Sequence, residues 1–311
     1  MKIVTFSPTT KGVLACLGAA LLMGANGVVS KYLMNGGITP FVFSQGRLTF
    51  ASIIAIGWLT ATNPKLLVIK PRDIIHFVLL GSIGMAGVNA CYFAAISKIP
   101  TAAAILLEYI SPALIALYAW GFMKQKMGPM KWIALLVALG GCYFVVGGHN
   151  LELLKINLGG LFWGLGAAFT YSFYIVYSEY TLRTYSPWTL LCYALIVASL
   201  TWNIVLSPMN LLTMGWNATS WTLIFLSSSF GTVLSFGLFA SGINLLRSTR
   251  ATIIATIEPI AAGLIAYLFL GERLQGLQIL GGLAVLIAVV LIQWEKEQDE
   301  LAPAMIKKRG V

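Results

Sequence analysis

Charge is what this sequence has least of. Only 10 % of its 311 residues are Asp, Glu, Lys or Arg, whereas 59 % are hydrophobic and the mean hydropathy is +0.87. A soluble domain carries about 25 % charged residues, so an ordinary water-soluble protein is excluded and a lipid bilayer is the expected surrounding. Because about 20 helical residues cross a bilayer, the chain has room for roughly ten spans and for no separate soluble domain.

Histidine and cysteine are scarce as well. An intramembrane hydrolase needs a nucleophile and a base that meet in the core, but His76 lies near one surface and His149 lies in a loop. The four cysteines fall inside apolar runs without paired spacing, so we predict neither a disulfide nor a metal or other cofactor. The phosphate-binding pattern G-x-x-x-x-G-K-[ST] does not occur. The sequence therefore favours a protein that is not an enzyme, with an intramembrane enzyme or a sensor as the less favoured class.

Apolar runs of membrane length predict an all-α integral membrane protein with ten transmembrane helices. A short N-terminal segment, 1–11, precedes them and a charged tail, 295–311, follows. The ten predicted spans are Gly12–Leu33, Phe41–Thr60, Ile74–Ile96, Thr101–Phe122, Met130–Val146, Leu158–Tyr177, Trp188–Leu206, Trp221–Ile243, Thr249–Leu270 and Leu277–Trp294.

Lysine and arginine are distributed unevenly between the two sides of these spans. Of the 20, fifteen lie on the side of the N-terminus, four lie on the other side and Arg47 lies within a span. Because cytoplasmic loops keep the positive excess, we expect both termini in the cytoplasm and a multi-pass protein of the plasma (inner) membrane. The net charge of +10 then reflects topology and a lipid partner, and no nucleic acid is predicted to bind.

The chain repeats itself at an offset of 147 residues. Tyr92–Pro112 lines up with Phe239–Pro259, which predicts a first five-helix repeat at 12–146, an external linker at 147–157 and a second repeat at 158–294. Since five is odd, the second repeat enters the membrane from the opposite face. Inverted repeats of this kind are the architecture of alternating-access transporters, with the substrate site near the midplane.

Several motifs resemble the drug/metabolite transporter superfamily, in its EamA branch, over both repeats. They are Gly24-Ala25-Asn26 followed by Ser30-Lys31, then Arg47, the alanine-rich approach to Pro112, Glu258-Pro259 and Leu270-Gly271-Glu272-Arg273. The resemblance implies ten helices and the export or exchange of a small metabolite without ATP hydrolysis.

Ionisable residues at membrane depth are costly and therefore point to function. With a rise of 1.5 Å per residue, Arg47 and Glu108 fall in one layer together with Asn26 and Asn89. In one interpretation, Glu108 binds a substrate ammonium group or a proton and the asparagines orient the substrate. In the other, Arg47 pairs with Glu108 or caps helix carbonyls, and the asparagines hold the first repeat together.

Two prolines predict broken helices at equivalent positions of the two repeats. Pro112 and Pro259 lack an N–H group, which leaves the carbonyls of Glu108 and Ala255 without helical partners. Such carbonyls must face protein or a water-filled cavity. Glu258 stands directly before the second break, where burial favours the neutral carboxyl group; it is a candidate proton carrier or a packing residue.

The second repeat lacks this polar layer, since Arg47 aligns with Ala194, Glu108 with Ala255 and Asn89 with Phe236. Aromatic and hydroxyl residues stand there instead, which favours a substrate with one polar end and one apolar end. We expect a neutral or aromatic amino acid or a related amine; a multidrug or polyamine exporter is the alternative. Further candidate substrate-binding residues are Tyr92, Trp163, Tyr171, Tyr174 and Ser235.

Overall fold

The computed structural model describes residues 7–122, 128–145, 151–213 and 216–294, and the regular secondary structure of these residues is helical throughout. The helices are α1 (Pro8–Asn35), α2 (Pro40–Thr62), α3 (Ile74–Leu79), α4 (Gly87–Ile96), α5 (Thr101–Glu108), α6 (Ser111–Gly121), α7 (Pro129–Val145), α8 (Leu151–Leu182), α9 (Pro187–Val205), α10 (Asn210–Thr213), α11 (Ala218–Ser228), α12 (Ser235–Leu246), α13 (Ser248–Ala255), α14 (Ile257–Leu270) and α15 (Gly276–Trp294).

Within the residues that the structure describes, eight helical segments are long and apolar enough to cross a membrane. They are Pro8–Asn35, Pro40–Thr62, Pro71–Ile96, Thr101–Tyr118, Leu158–Leu182, Pro187–Val205, Ala218–Leu246 and Arg250–Leu270. The prediction of a multi-pass helical membrane protein is thereby confirmed. The fifth and tenth predicted spans correspond to shorter apolar helices, Trp132–Val145 and Gly276–Leu291.

The outside of the bundle is apolar and its interior contains the polar groups. Leu136, Phe162 and Phe269 are 68 %, 72 % and 77 % exposed, whereas Arg47 and Asn89 are 3 % and 2 % exposed. A soluble protein shows the opposite arrangement. Lipid would cover such an exterior, and the buried polar side chains must find partners within the protein.

The two halves interrupt the same helices. A π-helical segment, Leu80–Ala86, joins α3 to α4, and a second one, Ser229–Leu234, joins α11 to α12. The half-helices α5 and α13 begin 147 residues apart and end 147 residues apart, and each is followed by a break before α6 or α14. π-helical segments and broken helices are frequent at functional sites.

Helices α7 and α15 cross at two glycines. A Cβ atom at Gly141 would lie 2.7 Å from the Gly281 carbonyl oxygen and 2.8 Å from Val285, whereas a Cβ atom at the neighbouring Gly140 would have no heavy atom within 4 Å. The backbone of α7 therefore has no room for a side chain at one position and ample room at the next.

We expect Gly141→Ala to destabilise the protein by about 1–3 kcal/mol, because the methyl group forces the two helices apart. Gly140→Ala is the matched control and should stabilise α7 by up to about 1 kcal/mol, the usual difference between glycine and alanine inside a helix. Thermal unfolding of the purified variants in detergent measures both effects. Equal melting temperatures for the two variants would contradict the close crossing.

Candidate functional site

A small cavity lies between the two halves at the level of the helix breaks. Residues from α1, α2, α4, α5, α8, α12, α14 and the second π-helical segment line it, and its volume is about 40 Å³. One water molecule takes up about 30 Å³, and pockets for small organic ligands measure about 300–1,000 Å³. In this conformation the cavity therefore has room for water and not for an organic molecule.

Seven of the predicted site residues line this cavity together. Four further lining residues were not among the predicted ones: Met23, Val88, Gly231 and Phe236. The seven are Asn26, Arg47, Asn89, Tyr92, Glu108, Tyr171 and Glu258.

Three predicted residues do not line the cavity. Trp163 packs edge-on against Phe41 with a ring-centroid distance of 5.8 Å, and the buried Tyr174 packs against Phe236 at 5.7 Å. The Ser235 hydroxyl donates a hydrogen bond to the Gly231 carbonyl at 2.7 Å, within its own helical segment. Pro112 and Pro259, the two predicted helix breakers, lie in the first turns of α6 and α14 next to the interruptions.

Arg47 is held by the second half of the chain. Its Nε donates to Thr232 Oγ1 at 2.5 Å and its Nη2 donates to the Gly231 carbonyl at 2.9 Å, while the guanidinium lies 4.9 Å from the centre of the Phe93 ring. Gly231 and Thr232 belong to the second π-helical segment. Of the alternatives that the sequence left open, Arg47 therefore caps a helix carbonyl and, within the described residues, pairs with no carboxylate.

Neither asparagine holds the first repeat together, which was the packing role predicted for them. The Asn26 side-chain oxygen accepts a hydrogen bond from Ser227 at 2.5 Å, and a Cβ atom at Gly231 would lie 2.2 Å from that oxygen. Asn26 thus joins α1 to the second repeat and does not hold the first repeat together. The Asn89 amide donates to the Met85 carbonyl at 2.7 Å, so this side chain satisfies the π-helical segment of its own span.

The carbonyl that Pro259 frees is satisfied from the other half. The Tyr109 hydroxyl donates to the Ala255 carbonyl and lies 3.2 Å from Glu258 Oε2. A phenol has one hydrogen to donate, so the second contact is best made when Glu258 is protonated and donates to Tyr109. Sequence reasoning missed Tyr109; the available signal was its position at the first break, where the repeat aligns it with Thr256.

Glu108 is the cavity carboxylate without a protein partner. It is partly exposed to the cavity, and its side chain makes no hydrogen bond or ion pair within the parts of the chain that the structure describes. It is the last residue of α5, and the carboxyl end of a helix attracts cations. The Tyr92 hydroxyl is also buried without a hydrogen-bond partner among those residues.

Among the described residues, eight membrane-length helices surround a small cavity whose lining includes polar and charged side chains, which is the architecture of a polytopic membrane protein. The profile of the EamA-like transporter family matches residues 10–147 and 158–294. The chain belongs to this family, and it is a membrane transporter.

Similar proteins carry transporter names. The chain is 28 % identical to the uncharacterized inner membrane transporter YicL of Salmonella typhimurium, over 93 % of this chain and 97 % of that protein. It is 31 % identical to an uncharacterized transporter of Archaeoglobus fulgidus, over 67 % and 72 %. It is 23 % identical to the threonine/homoserine exporter RhtA of Salmonella typhimurium, over 86 % and 88 %.

A solved crystal structure has the same fold. It superposes with a TM-score of 0.64 over 93 % of this chain and 99 % of the other chain, at 17 % sequence identity.

Proposed function

We propose that this transporter exports or exchanges a neutral or aromatic amino acid, or a related amine, across the inner membrane by alternating access and without ATP. One observation carries the proposal: Arg47 and Glu108 line the same cavity and do not pair with each other. A zwitterion has one charge for each of them.

The proposed site binds the two ends of an amino acid separately. The substrate ammonium group meets Glu108 at the carboxyl end of α5, where the carbonyl released by Pro112 adds to the negative potential. The substrate carboxylate meets Arg47, whose guanidinium has five donors and uses two of them in its bonds to Thr232 and Gly231. A sugar phosphate would need several converging cations.

The apolar part of the substrate lies against the rest of the lining. Met23, Val88 and Phe236 give an apolar wall, and Tyr171 provides a ring for stacking. The unpartnered Tyr92 hydroxyl completes the polar end. The present cavity must widen to admit such a molecule, which places substrate entry in another conformation of the carrier.

Glu258 is the proposed site of proton coupling. Its contact with Tyr109 is complete when the carboxyl group carries a proton, because the phenol hydrogen goes to the Ala255 carbonyl. After loss of that proton, the phenol hydrogen turns to the carboxylate and the Ala255 carbonyl loses its donor, which favours a rearrangement at the break between α13 and α14. Proton binding and helix position are thereby linked at one residue.

Two equivalent contacts support ten helices in two inverted five-helix repeats. Ser228 donates to the Arg47 carbonyl at 3.0 Å, and at positions 147 residues away a Cβ atom on Gly81 would lie 2.8 Å from the Ala194 carbonyl. Each half thus approaches the other through the same pair of positions. With the excess of Lys and Arg on the side of the N-terminus, this topology supports a cytoplasmic location for both termini.

Substrate counterflow tests the proposal. The protein is reconstituted in liposomes preloaded with a single compound, and uptake of the labelled compound is followed for threonine, homoserine, phenylalanine, putrescine and a lipophilic cation. We expect counterflow with neutral amino acids and none with the lipophilic cation. Counterflow with putrescine or the lipophilic cation, and none with amino acids, would change the assigned substrate class from amino acids to polyamines or drugs.

A further inference from the structure

A partly buried ion pair lies at the face of the bundle where α1 ends. Lys31 Nζ is 2.6 Å from Glu272 Oε1 and also donates to the Ile99 carbonyl at 2.6 Å. The second carboxylate oxygen of Glu272 accepts the Thr101 backbone N–H at 2.8 Å. This group, the Glu272 cluster (Lys31, Thr101 and Glu272), ties the end of α1 and the loop after α14 to the first residue of α5.

A second cluster lies at the opposite face, where α1 begins and Gly12 packs against Leu246. Arg247 Nε is 3.6 Å from Glu179 Oε1. Glu179 Oε2 accepts the Ser248 backbone N–H at 3.1 Å and the Ser248 hydroxyl. This group, the Glu179 cluster (Glu179, Arg247 and Ser248), ties α8 to the first residue of α13.

The two clusters hold equivalent half-helices. Thr101 and Ser248 are 147 residues apart, and α5 and α13 run from them to Glu108 and Ala255 at the helix breaks beside the cavity. In each half, a carboxylate from another helix or loop therefore fixes the outer end of the half-helix whose inner end borders the site. Release of either carboxylate frees that half-helix to move.

We propose that Glu272 and Glu179 are the gate residues of the two faces, and that the central cavity has room only for water because both clusters are formed. This inference rests on the alternating-access function proposed above. Opening the Glu272 cluster exposes the cavity to the face where α1 ends, and opening the Glu179 cluster exposes it to the face where α1 begins.

The Glu179 cluster is the weaker of the two. Arg247 has φ 77° and ψ 161°, a backbone conformation that residues other than glycine rarely adopt, whereas the equivalent Pro100 has an unstrained φ of −54°. The gate at the face where α1 begins therefore opens more readily, which suits a carrier that loads from that face.

Side-specific thiol labelling tests the gates. The reporter is Met23→Cys in the cavity wall, in a variant whose four native cysteines are replaced by alanine, and a membrane-impermeant maleimide is applied to vesicles of each orientation. We expect Glu179→Gln to raise the labelling rate at least tenfold from the face where α1 begins, and Glu272→Gln to do so from the other face. With both glutamates present, labelling should be faster from the face where α1 begins.

The controls neutralise a charge outside each cluster. Asp73→Asn lies on the face of the Glu179 cluster and Lys98→Gln on the face of the Glu272 cluster, and both should leave the labelling rates unchanged. If a glutamine variant does not fold, Ser248→Ala and Lys31→Met open the same clusters by removing the partners of Glu179 and Glu272. Unchanged rates, or equal increases from both faces, overturn the proposal. Because the thiol-labelling assay needs no substrate, its result can be interpreted even if amino-acid counterflow fails.

Discussion

Glu108→Gln is expected to weaken the binding of a neutral amino acid by roughly thirtyfold or more. Removing one partner of a buried charge pair costs about 2–5 kcal/mol, and each 1.4 kcal/mol is about a tenfold change in Kd. The substitution keeps the size of the side chain, and no protein contact of Glu108 is lost among the described residues. Isothermal titration of the purified protein with threonine or phenylalanine measures the change in Kd.

Glu258→Gln tests the role of Glu258 independently of the role of Glu108. A glutamine can still donate to Tyr109, as the protonated carboxyl group does, but it cannot release a proton. We therefore expect exchange of one amino acid for another to continue while proton-driven net transport is lost. Asp73→Asn, at the membrane surface, should change neither reaction.

For the first prediction, a Kd that is unaffected by Glu108→Gln would remove Glu108 from the substrate site.

Arg47→Ala is expected to lower the free energy of unfolding by about 3 kcal/mol and to abolish transport. Hydrogen bonds to a charged group contribute about 1.5–3 kcal/mol each, and Arg47 makes two, to Thr232 and Gly231, while also covering the Phe93 ring. The alanine variant loses these contacts, which join α2 to the second half. Thermal unfolding in detergent and counterflow in liposomes measure the two effects.

Arg47→Lys distinguishes the structural role of this residue from its role in binding. Lysine keeps the charge but cannot place donors on Thr232, on the Gly231 carbonyl and on a substrate carboxylate in the fixed geometry of a guanidinium. We expect most of the stability to return and the Kd for amino acids to stay at least tenfold weaker. A lysine variant with full stability and an unchanged Kd would show that Arg47 does not contact the substrate.

The sequence could predict the class of the protein and the depth of its unusual residues. A bilayer imposes local demands, namely long apolar helices and few charges, so composition and run length were sufficient to identify a multi-pass membrane protein. A fixed rise per residue then placed Arg47, Glu108, Asn26 and Asn89 in one layer, and the structure puts all four on one cavity.

The sequence could not predict the direction in which each side chain points. Rise along a helix follows from residue number, but rotation about the helix axis depends on which neighbours pack against it. Trp163 and Tyr174 lie on α8 with the lining residue Tyr171 and yet pack against Phe41 and Phe236 of other helices. Ser235 lies next to the lining residue Phe236 and bonds within its own helical segment.

Composition, length and the 147-residue repeat thus determined that this chain is a helical membrane protein with interrupted helices and three intramembrane charges. Only the tertiary structure decided how those charges are used. Arg47 bonds to Thr232, 185 residues away, and leaves Glu108 unpaired, and Tyr109 satisfies the carbonyl of Ala255, 146 residues away. Partners so distant in sequence become neighbours only when the two halves pack together, because hydrogen bonds and ion pairs act over a few ångströms.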